Sequence, residues 1–158
     1  MDQEDYLSAS FLLHMLGEGT FQDLLKFIEG VAPDPVTQEI LRRTAQDESR
    51  HVGYGLGNVT YALKRNPSVA KHLLQAAEER ASFLREASGF NPFVQEALAI
   101  LAGGGSDPRQ IEMGAEMVRE LYKKMHDDRV IRLREAGFDE ETAVRISELH
   151  GTSVKTFM

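Results

Sequence analysis

Apolar residues recur three and four positions apart along almost the whole chain, and no stretch alternates with the period of two that a strand requires. Prolines, and glycines such as Gly30, Gly89, Gly103 to Gly105 and Gly137, fall between these periodic runs, where they end helices rather than interrupt them. The pattern predicts a first helix over 8–29, stopping before Gly30 and the Pro33-Asp34-Pro35 corner. Asp34 is placed to cap the next helix, with Pro35 at its first position, where a missing N–H is harmless. That second helix is predicted over 35–65, closing at Asn66-Pro67, and at 1.5 Å per residue it spans roughly 45 Å. A third helix is expected over 68–87, ending at Ser88-Gly89, and a short fourth over 91–102 with Pro92 in its first turn. Gly103-Gly104-Gly105-Ser106 reads as a flexible linker, after which Asp107-Pro108 restarts a long helix to 135, stopped by Gly137. A last short helix begins at the cap Asp139 and ends near His150-Gly151, leaving a tail through Phe157. The fold class expected is all-α: one domain over 1–158, an antiparallel helical bundle with long core helices and a short C-terminal helix.

Two places break the apolar pattern with chemistry. The inward stripe of the second helix is read as Leu41, Thr44, Glu48, His51, Gly55, Val59 and Ala62. Glu48 and His51 stand there where a core helix would carry leucine, and three residues apart they share one face. In the first helix, Glu18 interrupts an otherwise apolar run from Phe11 to Phe21 and shares a face with His14, Phe21 and Leu25. Burying a carboxylate is unfavourable unless it is paired, hydrogen-bonded or metal-bound. The corner between the two helices lies near 31–34, which sets Glu18 level with Glu48 and His51 on its neighbour. Three donors of this kind suit iron or manganese. The plainer alternatives are a solvated glutamate on each helix, or a buried Glu–His ion pair.

Four neighbours are candidates for a supporting role. His14 precedes Glu18 by four residues and is read as a hydrogen-bonded core histidine or an outer ligand. Asp47 and Arg50 flank the Glu48–His51 pair, and Asp47 is placed to orient a metal-bound histidine on a neighbouring helix. Tyr54, three past His51, is read as a packed tyrosine or a phenol beside the site. Gly53, Gly55 and Gly57 each lower helix propensity by up to about 1 kcal/mol, which close approach of another helix would explain. Met113, Met117 and Met125 are expected to fill core gaps, and His72, His126 and the Arg42-Arg43 pair to face solvent.

Composition narrows the chemistry further. Apolar residues make up 42% of the 158 and charged residues 27%, ordinary for a soluble globular domain. The net charge of −7 argues against nucleic acid as a partner. With no cysteine, disulfides, zinc ribbons, iron–sulfur clusters and thiol catalysis are excluded, so any metal is held by oxygen and imidazole. The acidic start Met1-Asp2-Gln3-Glu4-Asp5-Tyr6 does not resemble a secretory signal. The run Leu98 to Ala102 is too short to cross a membrane, so a cytoplasmic protein is expected. Gly103 to Gly105 follows a helix and lacks the lysine of a phosphate loop, and no serine nucleophile motif is present.

Asp47-Glu48-Ser49-Arg50-His51 resembles the last ligand helix of the ferritin-like di-iron carboxylate superfamily. Glu18, in Leu16-Gly17-Glu18-Gly19, resembles the lone glutamate of the preceding helix. The pattern is most similar to the branch that includes ribonucleotide-reductase small subunits and p-aminobenzoate N-oxygenase-like proteins, over 11–65. The resemblance implies Glu18 as a terminal or bridging ligand, Glu48 as a bridging ligand and His51 as a terminal ligand. It implies a non-haem di-iron or iron–manganese protein that activates O2, with a small-molecule substrate near Phe21, Leu25 and Tyr54.

Those families carry two such half-sets, and this sequence supplies one. Glu148-Leu149-His150 has the wrong spacing, and Glu112, Glu116, Glu120 and His126 include no Glu-x-x-His. Either a homodimer joins two copies, with two irons in a shared site, or the chain corresponds to the C-terminal half of a longer bundle. Ferritin-type iron oxidation and storage, and a helical interaction protein with a vestigial site, are the competing functions.

Overall fold

The computed structural model describes residues 3–87 and 91–150, and all regular structure among them is helical. The Ser88-Gly89 stop and the tail through Phe157 lie outside the described residues. The first rod is α1 (Gln3–Ser10), a π-helical segment (Phe11–Glu18) and α2 (Gly19–Val31). Ser10 and Gly19, at the two ends of the π segment, both keep right-handed helical dihedrals, so the rod is continuous. It begins five residues before the predicted start. Its π stretch has no composition signal, because it is a change of hydrogen-bond partner within a helical pattern.

The corner forms as its sequence dictates. Ala32 is extended, and the Asp34 carboxylate accepts from the backbone N–H of Val36 at 3.0 Å and Thr37 at 2.9 Å. From there α3 (Pro35–Arg65) runs back along the rod. The helix expected over 68–87 is instead α4 (Val69–Glu79) and α5 (Ala81–Ala87), parted at Arg80 without a glycine or proline. The break leaves Leu73, Ala77 and Leu84 all in one core.

The remaining helices are α6 (Pro92–Gly103), α7 (Pro108–Ala136) and α8 (Glu140–Glu148). Asn91, Asp107 and Asp139 cap them through side-chain oxygens, Asp107 in a reciprocal capping box with Gln110. Gly137 ends α7 at φ 112°, a left-handed conformation that favours glycine. Glycines at the end of α6 and in α7 let the two helices meet closely, so the turn between them is a tight corner rather than a spacer. A Cβ at Gly103 would lie 2.0 Å from the Gln110 carbonyl oxygen, and one at Gly114 would lie 1.8 Å from that of Ala99.

Two apolar clusters result. One joins Phe11, Met15 and Leu16 to Val59, Leu63, Leu73, Leu133 and Ile146. The other joins Leu98, Val118, Leu121, Tyr122 and Met125, with Leu24, Phe27 and Ile28 packed against it. Met125 therefore fills the core as expected, whereas Met113 and Met117 are exposed. No helix among the described residues is long and apolar enough to cross a membrane.

The buried line of α3 is Ala45, Val52, Gly55, Val59 and Leu63: Gly55 and Val59 belong to the predicted stripe, while Ala45, Val52 and Leu63 stand in for Thr44, His51 and Ala62, a rotation of about 50°. Val52 and Leu63 lose more by exposure than His51 and Ala62 do, so they take the core side. Glu48 and His51 consequently sit on the flank of α3.

Candidate metal centre

Glu18 is the last residue of the π segment, and Glu48 and His51 lie near the middle of α3. The corner at 32–34 folds the two helices back by nearly equal lengths, and the three side chains meet. One ligand atom of each lies within 4.8 Å of the others. His51 Nδ1 is 3.6 Å from Glu18 Oε2 and 3.5 Å from Glu48 Oε2. Glu18 and Glu48 are largely covered, while His51 is 53% exposed.

The donor set fits a divalent metal on its own terms. Glu48 Oε2 is a buried carboxylate oxygen with no hydrogen-bond partner. Such an atom is unfavourable unless something else satisfies it. Two donors bound about 2.1 Å from one tetrahedral ion stand about 3.4 Å apart, close to the two histidine–carboxylate separations here.

Support comes from both helices. His14 Nδ1 lies 2.7 Å from Glu18 Oε2, its ring meets Tyr54 edge-on at 5.8 Å, and it stands 6.0 Å from the His51 ring. Gly55 makes this approach possible, since a Cβ there would lie 2.8 Å from the His14 Cβ. Gly53 and Gly57 face open space, so packing within the chain explains only Gly55 of the three. One turn from the cluster, Gln22 of α2 donates to the hydroxyl of Ser49 on α3, which in turn donates to the Ala45 carbonyl at 2.8 Å.

The other expected neighbours do different things. Asp47 and Arg50 are exposed and pair with each other. The Tyr54 hydroxyl hydrogen-bonds that of Tyr6 at 2.7 Å, and this contact followed by Asn58 lowers the Tyr54 pKa. Leu25 is buried, Phe21 and Tyr54 are exposed, and none of them lines the groove of about 540 Å³ between α2 and α7. Arg42 and Arg43 are solvated and share Glu39, and His72 is exposed and bonds Ser8. His126 is half-buried rather than surface-placed, with Nδ1 2.9 Å from the Ser147 hydroxyl. Among the described residues no second group of three histidine or acidic side chains comes together in this way.

Two arginines of α7 hold side chains just beyond Glu18. Arg129 is fully buried and donates to the Thr20 hydroxyl at 2.8 Å and to the Ser147 hydroxyl at 3.1 Å. Thr20 passes the bond on to the Leu16 carbonyl at 2.8 Å, inside the π segment. Arg132 lies flat against Gly19, 3.1 Å from where a Cβ would sit, and reaches Asp23 at 3.4 Å. Burial pulls the Arg129 pKa down to about 9, with the Arg132 charge adding to it. Burial likewise raises the Asp23 pKa, against the pull of Arg132. An arginine at a helical apolar position, as Arg129 is between Met125 and Leu133, was the available signal. No family model, curated protein or solved structure matches the chain.

Proposed function

We propose that this chain is a metal-binding, ferritin-like protein of the non-haem di-iron or iron–manganese oxidase and oxygenase type, acting in the cytoplasm, with its site completed by a homodimer. The observation that carries the reading is the buried Glu48 Oε2, which has no hydrogen-bond partner and lies 3.5 Å from His51 Nδ1, with Glu18 Oε2 3.6 Å from the same nitrogen. Glu18, Glu48 and His51 would hold the metal, Glu48 as the bridging carboxylate. When bound, a carboxylate-and-imidazole metal pair supplies the electrons for reduction of O2.

Two features support a second copy as the source of the missing donors. The cluster opens towards solvent through His51, and Phe21 and Tyr54 stand exposed three residues beyond Glu18 and His51 on their respective helices. Tyr61, two turns further along α3, continues that exposed aromatic line. A two-fold contact on this face would bring four glutamates and two histidines together, and two-fold dimers are the commonest closed assemblies.

Metal content and native mass measured on one sample test the proposal. A dimer carrying two iron or manganese ions per pair of chains, lost in Glu48→Ala and His51→Ala, is expected. Unchanged metal content in those variants would refute the site, and a metal-free monomer would refute the shared centre. A large ring or shell would transfer the same residues to the iron-storage reading.

A further inference from the structure

His14 stands out once the three ligand candidates are set aside, because its contacts converge on the placement of one oxygen atom. Its Nδ1 is 2.7 Å from Glu18 Oε2, the same oxygen that lies 3.6 Å from His51 Nδ1. A carboxylate oxygen has two lone-pair directions, so one can accept from His14 while the other faces the cluster. The imidazole is itself held in place. Its Cβ rests against Gly55, where no larger residue fits, and the Tyr54 ring meets it edge-on. Both His14 and Glu18 belong to the π-helical segment. The hydrogen bond therefore lies within one rigid turn, and Gly55 and Tyr54 fix that turn against α3.

We propose that His14 is the positioning residue of the Glu18–Glu48–His51 cluster: its Nδ1–H donates to Glu18 Oε2 and holds that oxygen towards His51, so that a divalent transition metal meets a preset carboxylate. The inference rests on the metal-site reading above. Without His14, Glu18 is a partly exposed glutamate with free rotamers, and metal binding must fix it at the expense of side-chain entropy. Partners that orient a ligand in this way typically change metal affinity by 10–100-fold when removed. His14 does not bind the metal through Nδ1 in this arrangement, since that nitrogen carries the proton given to Glu18.

Co(II) is a suitable probe, because its visible absorption reports the donor set while titration reports affinity. The full chain is titrated as wild type, His14→Leu, His14→Asn and His51→Ala, with urea unfolding of each metal-free variant alongside. In His14→Asn the amide N–H takes nearly the place of the imidazole Nδ1–H. The expected result is a loss of about 10–100-fold in Co(II) affinity for His14→Leu, with most of it restored in His14→Asn. The visible band should keep its position in both, and the affinity order should not follow the unfolding midpoints. Equal affinity in wild type and His14→Leu overturns the role, as does equal loss in His14→Leu and His14→Asn. A band displaced in both His14 variants makes His14 a ligand and also overturns it. If wild type takes no Co(II), or His51→Ala binds as well as wild type, the metal-site reading falls first and this one with it.

Discussion

Adding one methyl group at Gly55 should act against its own helix propensity. In an open helix interior, glycine to alanine gains about 0.5–1 kcal/mol, because alanine has less backbone freedom to lose. At Gly55 the new Cβ would lie 2.8 Å from the His14 Cβ, 3.3 Å from the Met15 nitrogen and 3.4 Å from the His14 carbonyl carbon. None of these is the far end of a flexible side chain. The π segment must therefore retreat from α3 by about 0.6 Å, the gap between 2.8 Å and the 3.4 Å where ordinary contact begins. Overpacking of this kind costs about 1–3 kcal/mol, which cancels or outweighs the propensity gain. Gly53 and Gly57, on the same helix with nothing within 4 Å, serve as controls. Gly53→Ala and Gly57→Ala should each raise the unfolding free energy by about 0.5–1 kcal/mol, and Gly55→Ala should fall about 1–3 kcal/mol below them. Urea unfolding at fixed protein concentration, with unchanged slopes, reads the difference directly. The retreat also carries Glu18 away from His51, so Gly55→Ala should weaken Co(II) binding while the two controls leave it alone. If Gly55→Ala stabilises the protein as much as Gly53→Ala, the close approach of the two helices is wrong and the argument for His14 loses its support.

Other consequences are equally direct. Glu48→Met removes a buried oxygen that has no hydrogen-bond partner, so the metal-free protein should gain about 1 kcal/mol in urea unfolding while added Co(II) no longer raises its midpoint; a less stable variant would show that the 3.5 Å approach of His51 already satisfies Glu48. Thr20→Val takes away the acceptor of a buried guanidinium N–H and should cost about 1–3 kcal/mol, and a neutral result would contradict the Arg129 contact. His150 is buried, and burial followed by the charges of Arg129 and Arg132 holds its pKa well below the usual histidine range. The unfolded chain thus binds a proton near pH 6.5 that the folded chain refuses, and stability falls as pH drops through and below that value, by up to about 1.4 kcal/mol per unit. His126, displaced the same way first by burial and then by Arg129, adds a smaller share because it is partly solvated. Unfolding free energies that stay level from pH 7 to 5.5 would refute this.

Much of the scaffold was legible because it depends on local chemistry. Pro35, Asp34, Asn91, Asp107, Asp139 and Gly137 act within a few residues of themselves, and each starts or stops a helix where the sequence places it. The meeting of Glu18 with Glu48 and His51 was legible for a related reason. A tight corner folds two helices of equal rise back on each other, so distance from the corner sets the height on each. What escaped is what depends on neighbours distant in sequence. The π segment exchanges one set of backbone partners for another without altering composition. The rotation of α3 by about half a position was settled by what Val52 and Leu63 met across the core. Arg129 reads as a surface charge until Thr20 and Ser147, from opposite ends of the chain, close around it.

By itself, then, the sequence determined an all-helical chain, the register of its first corner and a donor set restricted to oxygen and imidazole. Each of these follows from periodicity, capping or the absence of cysteine. Only the tertiary structure decided which side of α3 faces the core, that His14 rather than Asp47 touches a ligand candidate, and that Glu48 carries a buried oxygen with no hydrogen-bond partner. The reason is physical: spacing along a helix fixes angle and height, but burial and hydrogen bonding are properties of the neighbours that arrive only when the chain folds.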